Sequence, residues 1–394
     1  MPEIAEISRI VHFLRKYAVG RTIKAVKTQE DNIVYGKVGT SASAFEKAMA
    51  GKKIVGAKQQ GKYFWLEMDS SPHPLMHFGM SGWMKFSNDE TAYYRPAKAE
   101  ESEWPPKYWK FTLELEGDPA CQVAFVDARR LARIRLVEAK AEDMRKTSPL
   151  KENGPDPVLD PEILTVDWLK KKLQSKRVPV KALLLDQANI SGIGNWVGDE
   201  IMYQARLHPE QYSNTFTDAQ VKQLHEAIMY VCNTAVELLA DSDKFPSDWL
   251  MKHRWDKGKK NGAKLPNGDK ITFLKVGGRT SAVVPSVQKK TGLVAGDISD
   301  EADGTGDEEN APKKATKKRG RAKKEVEEDS EPEILPKSTK RGKKKGDIAV
   351  KDDQPVVKKQ KSTTPRKARK VEQEESIKTE EDSGRRRSGR LSRE

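Results

Sequence analysis

Leu183-Leu184-Leu185-Asp186-Gln187-Ala188-Asn189-Ile190-Ser191-Gly192-Ile193-Gly194-Asn195-Trp196-Val197-Gly198-Asp199-Glu200 is the stretch that decides the fold of this chain. The apolar run before Gln187 reads as a helix. Two glycines permit a tight turn with close backbone approach, and a second helix begins at about Asn195 or Trp196. Such a turn aims backbone N–H groups and the positive end of the second helix outward, which suits a phosphate. The Asn195 side chain either caps that helix or donates to the same phosphate. A plain glycine turn between packed helices needs the same residues, so the surroundings must decide.

Trp168 to Leu173, Val180 to Asp186, Trp196 to Ala205 and Asp218 to Leu239 all carry helical periodicity, which makes this part of the chain mainly α. Further on, Lys264 to Pro285 reads as extended, with Gly277-Gly278 where a hairpin turns. On the other side, Ser148 to Pro161 is a polar, Pro-rich connection that marks a boundary. Before it, from Thr22 to Val137, the pattern is of short strands, among them Ile23 to Lys27, Lys53 to Lys58, Lys62 to Met68, Phe111 to Leu115 and Gln122 to Val126, which argue for a β-sandwich or barrel. One helix leads into them, from Glu3 to Val19, with Gly20 at its C′ position. The class is therefore α+β with two domains. The expected limits are 2–140, a linker at 141–160, a helical domain at 161–260, a hairpin at 261–292 and a charged tail at 293–394.

No aromatic residue follows Phe273, and the tail lacks the apolar surface to offset chain entropy, so it is expected to be disordered. The formal charge of +14 points to a polyanionic partner, most simply nucleic acid. Basic clusters such as Lys317-Lys318-Arg319 and Arg385-Arg386-Arg387 fit nuclear import, although acidic runs interrupt them. Two cysteines, Cys121 and Cys232, exclude a disulfide framework or a four-cysteine metal site. No apolar stretch is long enough for a bilayer, so a soluble intracellular protein is expected.

The opening Met1-Pro2-Glu3-Ile4-Ala5-Glu6 reads as a capped helix start, with Pro suited to the first turn and Glu to the helix dipole. It also reads as a nucleophile. Removal of Met1 would leave a secondary amine, neutral in useful fraction near pH 8, roughly, and able to attack a carbonyl-like carbon and form an iminium.

Pro2-Glu3 with Glu6, Gly61-Lys62-Tyr63, His77-Phe78-Gly79-Met80-Ser81-Gly82, Asp127-Ala128-Arg129-Arg130-Leu131, the Asp186 to Asn195 stretch and Gly277-Gly278-Arg279-Thr280 occur in the order seen in formamidopyrimidine-DNA glycosylases. Over residues 2 to 290 the chain resembles the fungal and plant branch of that family. The resemblance implies a base-excision repair enzyme on a β-sandwich, a helix-two-turn-helix domain and a finger-like hairpin. It would evert a damaged base from duplex DNA, release it and nick the strand by β,δ-elimination. Pro2 would be the nucleophile, Glu3 the acid/base group, Glu6 a pocket-shaping partner, and Lys62 a catalytic-site contact to the damaged strand. His77, Asn195 and Arg279 would contact phosphate or pocket, while Met80, Arg129 and Leu131 would fill the gap left by the base. Leu131 stands where many relatives have phenylalanine, and Ala128 where they have proline, which bears on lesion search and opposite-base preference.

No metal or cofactor is expected, and the hairpin, lacking the paired cysteines of bacterial relatives, resembles a zincless finger held by apolar packing alone. The segment between Trp255 and Lys264 is short, and relatives with it reduced favour ring-opened purines, hydantoins and abasic sites over 8-oxoguanine. The partner would be double-stranded DNA with oxidised bases or abasic sites, bound by a monomer in the nucleus. Rival readings are a noncatalytic DNA- or chromatin-binding protein on the same fold and an RNA-binding factor, the latter fitting the charge but not the motifs.

Overall fold

The computed structural model describes residues 2–89, 91, 103–256 and 262–292. The expected disordered tail, and most of the shortened segment after Trp255, lie outside them. Helix α1 spans Ile4–Tyr17, so Pro2 precedes the first turn rather than occupying it, and Glu3 is the N-cap. The helix runs out at Ala18, with the Val19 N–H returning to the Leu14 carbonyl, so Gly20 (φ 90°) lies one residue past the expected C′ position.

Two four-stranded antiparallel sheets follow. Strands are β1 Ile23–Thr28, β2 Ile54–Gln60, β3 Tyr63–Met68, β4 His73–His77, β5 Trp83–Phe86, β6 Trp109–Leu115, β7 Cys121–Val126 and β8 Arg133–Val137. One sheet has the order β1-β6-β7-β5 and the other β2-β3-β4-β8. The architecture is a sandwich, whose core includes Phe45, Phe64, Met76, Phe78, Phe111, Phe125 and Ile134. The short helix α2, Ala42–Met49, capped by the Ser41 hydroxyl, packs Phe45 and Met49 into that core and was not among the expected elements.

Beyond the sandwich come α3 Val166–Gln174, α4 Val180–Leu185, α5 Asn195–Gln204, α6 Asp218–Glu237 and α7 Leu250–His253. They enclose a second core around Leu169, Leu184, Val197, Ile201, Leu224 and Trp249. A hairpin of β9 Thr272–Val276 and β10 Arg279–Val283 closes the described chain, with Val276 paired to Arg279. Gly277 and Gly278, at φ 57° and 79°, form the two-residue turn whose twist matches the strands.

Segment 141–160 is a packed strap rather than a loose connection. It begins as a 3-10 turn, Ala141–Lys146, and buries Met144 and Leu150 against Trp65 and Leu75 on the outer face of the second sheet. Helix α1 joins the two cores: Ile7, Ile10, Val11 and Leu14 point into the sandwich, whereas Ile4 and Ala5 are buried among the helices. The first residues of the chain are therefore fixed at the junction.

Candidate active site

At that junction the Glu3 N–H donates to Glu6 Oε2 at 2.8 Å, and the Ile4 N–H donates to the Gly192 carbonyl at 3.1 Å. The Glu3 carboxylate accepts the backbone N–H groups of Trp196 and Val197, both at 3.0 Å, and so closes the first turn of α5. The helix end expected to face a phosphate is occupied by the chain's own carboxylate. Asn195 is not the cap either: Gly194 is, and the Asn195 amide donates to the Thr280 carbonyl at 3.0 Å and accepts from Lys181 Nζ at 2.9 Å. Both glycines of the turn are required because the N-terminal segment lies on them. A Cβ on Gly192 (φ 92°) would sit 2.9 Å from Ile4 Cβ, and one on Gly194 would overlap the Glu3 carboxyl group. Glu6 is fully buried, and its Oε1 accepts the Trp196 indole N–H at 3.0 Å.

The β2–β3 turn docks on the same place. Gly61, at φ 56°, donates its N–H to Asp156 Oδ2 at 2.7 Å, and a Cβ there would stand 2.7 Å from Ser191 Cβ. That contact delivers Lys62, a buried lysine whose pKa burial pushes down to about 8 against the opposing pull of Glu3 and Glu6, with Arg279 reinforcing the drop. Pro2, Glu3, Glu6, Lys62, Asn195 and Arg279 are thus brought into one neighbourhood, with Arg279 delivered by the first residue of β10.

Met80, Arg129 and Leu131 form a second group on two loops in backbone contact, since a Cβ on Gly79 (φ 64°) would overlap the Leu131 carbonyl. Buried Asp127 ties these loops by accepting the Ser81 hydroxyl at 2.6 Å and the N–H groups of Arg129 at 3.1 Å and Ala132 at 2.7 Å. Arg129 and Leu131 are exposed and Met80 half-buried. Arg130, by contrast, is committed: its Nε and Nη2 both reach Asp31 at 3.0 Å, and Lys110 reaches the same carboxylate at 3.0 Å. Burial alone would raise the Asp31 pKa, but Arg130 and Lys110 override it and hold the group well below the usual carboxylate range.

His77 links the groups. Its Nδ1 accepts the Gly79 N–H at 3.0 Å, which places the ring proton on Nε2, and its ring lies 4.8 Å from that of Tyr63, next to Lys62. Burial, then the charges of Lys62, Arg135 and Arg133, push its pKa down to about 4, so the ring is neutral.

The hairpin is not held by apolar packing alone. Beside the small core of Leu250, Leu265, Ile271 and Ala282, fully buried Lys181 contacts Asp199, donates to Ser281 Oγ at 2.7 Å and holds Asn195. Asp199 Oδ2 also accepts Arg254 Nη2 at 2.7 Å and the Ala282 N–H at 3.0 Å. This network joins α4, α5, the turn after α7 and β10. Arg254 belongs to it, while His253 makes a separate bond to the Ser247 carbonyl at 2.9 Å. The sequence signal was an aspartate inside the α5 motif and a lysine inside an apolar helix, neither of which names its partner.

These features define a two-domain protein with a buried carboxylate pair at the chain terminus, a basic neighbourhood around it and a hairpin anchored to a helical domain. Residues 1–134 match the model of the formamidopyrimidine-DNA glycosylase N-terminal domain, and residues 154–247 that of the formamidopyrimidine-DNA glycosylase H2TH domain. The chain is 41% identical over 293 residues to the formamidopyrimidine-DNA glycosylase of Arabidopsis thaliana, covering 74% of this chain and 72% of that protein. It is 28% identical over 300 residues to the enzyme of the same name from Pelotomaculum thermopropionicum, covering 73% and 99%. The solved structure of the Lactococcus lactis formamidopyrimidine-DNA glycosylase, non-covalently bound to DNA containing an AP site, shares the fold with a TM-score of 0.58 at 24% identity, over 73% of this chain and 100% of that one. The chain belongs to the formamidopyrimidine-DNA glycosylase family, and its likeness to the Arabidopsis protein is consistent with the plant-like branch.

Proposed function

We propose that this chain is a DNA glycosylase of base excision repair that releases oxidised or ring-opened bases and cleaves the resulting abasic site through its N-terminal proline. The observation that carries the reading is the seating of Pro2 and Glu3 between the two cores, with the Glu3 carboxylate clamped by the N–H groups of Trp196 and Val197. After removal of Met1, the neutral Pro2 nitrogen bonds to the sugar anomeric carbon as the base departs. The proton that the nitrogen then gives up would pass through the Glu3 carboxylate to the ring oxygen, whose bond to the anomeric carbon breaks and opens the sugar to an iminium. Loss of the acidified proton on the neighbouring sugar carbon expels one flanking phosphate, and a second elimination expels the other. Glu6 fixes Glu3 from behind through the Glu3 N–H. Lys62, His77, Asn195 and Arg279 would hold the damaged strand, and Met80, Arg129 and Leu131 would occupy the gap in the stack.

In this reading residues 2–140 are the catalytic domain, 161–260 the DNA-binding domain and 261–292 a zincless finger. The protein acts as a monomer in the nucleus on double-stranded DNA. Borohydride trapping on an abasic-site duplex tests it. A covalent adduct is expected from the native protein and none from Pro2→Gly; tight binding without any adduct would favour the noncatalytic DNA-binding alternative.

A further inference from the structure

The outer face of the β2-β3-β4-β8 sheet carries a group of cations that the reaction above does not use. Strand β8 alternates: Ile134 points into the sandwich core, and Arg133 and Arg135 point out. The ladder then sets them beside known neighbours, because Tyr63 pairs with His77, His77 with Arg133, and Leu75 with Arg135. One row across the sheet therefore reads Tyr63, His77, Arg133, with Arg135 two positions further along β8 on the same face. The Arg135 guanidinium lies 5.9 Å from the Tyr63 ring centroid, and its Nη1, shielded from solvent, has no hydrogen-bond partner among the described residues. Arg133 Nη1 reaches only the adjacent Ala132 carbonyl, at 2.6 Å. No ion pair joins Arg133 or Arg135 to a carboxylate among the described residues. Like charges held together with a guanidinium nitrogen unsatisfied are costly unless an anion completes the site.

We propose that Arg133 and Arg135, with the Nε2–H of His77, bind a second backbone phosphate of the DNA strand whose first phosphate is held by Lys62. Adjacent strands are about 4.8 Å apart, so Arg133 stands roughly 10 Å from Tyr63 across the sheet, which leaves room for a second phosphate beside the one on Lys62. Guanidinium groups suit this role because they present fixed pairs of donors to phosphate oxygens. A contact of this kind adds affinity without base selection.

The inference rests on the proposed DNA-lesion function, and the test separates the two. Binding to an abasic-analogue duplex is measured across a range of salt for the native protein, Arg133→Gln/Arg135→Gln and Arg133→Lys/Arg135→Lys, alongside borohydride trapping and thermal unfolding. Loss of one phosphate contact is expected to reduce the slope of log affinity against log salt by about 0.9 in the glutamine variant, with the lysine variant retaining most of the native slope. An unchanged slope in a folded glutamine variant overturns the second phosphate site while leaving the trapped adduct, and so the enzyme reading, intact. Absence of an adduct from the native protein instead removes the function on which the site depends. If the glutamine variant fails to fold, a lysine variant whose slope drops as far as one full contact overturns the proposal by itself, because charge and reach are retained.

Discussion

Replacing Lys181 by methionine should loosen the hairpin that carries Arg279. The ammonium is wholly buried and serves three acceptors: Asp199, Asn195 Oδ1 and Ser281 Oγ. Removing one member of a buried ion pair costs about 3–5 kcal/mol, because the other charge is left uncompensated. Here Asp199 keeps Arg254 Nη2 and the Ala282 N–H, and methionine refills most of the lysine stem, so the loss belongs near the lower end, about 3 kcal/mol. For a folded region of this size that corresponds to a fall of ~6–9 °C in Tm. Asp199→Asn should be worse, since it leaves both Lys181 and Arg254 buried without an anion. Affinity for an abasic duplex should fall in parallel, because Asn195 and the β10 strand lose the same anchor. Differential scanning calorimetry with matched binding isotherms is the assay. A Tm within about 2 °C of the native value for Lys181→Met, or a milder effect from Asp199→Asn, would refute the view that this network holds the hairpin.

Two further outcomes follow from the buried carboxylates. Gly194→Ala keeps an accessible backbone conformation, φ −122° and ψ −156°, yet its Cβ would displace the Glu3 carboxyl; trapped-adduct formation should drop by roughly a hundredfold, and a rate within about threefold of native would show that Glu3 need not sit there. Glu200 is fully buried beneath α7, accepts the Met251 N–H at 2.7 Å, and burial pushes its pKa up to about 7. Because the folded state holds this proton more tightly than the unfolded one, the contribution to stability is fully present below about pH 4.5 and is lost as pH rises through 7; Glu200→Gln should abolish a pH dependence of about 3 kcal/mol between pH 4.5 and 8, and parallel unfolding curves for both proteins across that range would contradict it.

What could be read from the chain alone was local. The helices around the Asp186 to Asn195 turn and the Gly277-Gly278 hairpin are encoded by spacing within a few residues, and they stand where expected. Strand β4 was missed because His73-Pro74-Leu75-Met76-His77 contains a proline and is buried on both faces, which erases alternation. Strand β8 lies at the end of the expected strand region but was not singled out, because its outward positions are arginines that hide the alternation although Ile134 is a core residue. Helix α2 is eight residues long and carries only three buried side chains, too few for its period to stand out. Of the neighbouring Arg129 and Arg130, the second is taken up by Asp31, which lies 99 positions away and binds it through two nitrogens. No local pattern could have announced that pairing.

Buried carboxylates also bear on how a chain with 59 acidic residues presents exposed arginines beside its candidate site. Glu3 binds the N–H groups of Trp196 and Val197, Asp127 those of Arg129 and Ala132, Asp156 that of Gly61, and Asp199 that of Ala282. Each is almost fully buried and fastens one segment to another, its oxygens taken up inside the protein by backbone donors and, at Asp199, by Lys181 and Arg254 as well. Some cations have the opposite placement: Arg129 is exposed and Arg133 and Arg135 are partly exposed on the outer sheet face, whereas Lys62 and Lys181 are buried. Anchoring acids and outward-facing arginines are therefore two sides of one arrangement: the bonds that hold the loops in position remove from the surface negative charge that would otherwise neutralise the proposed phosphate contacts.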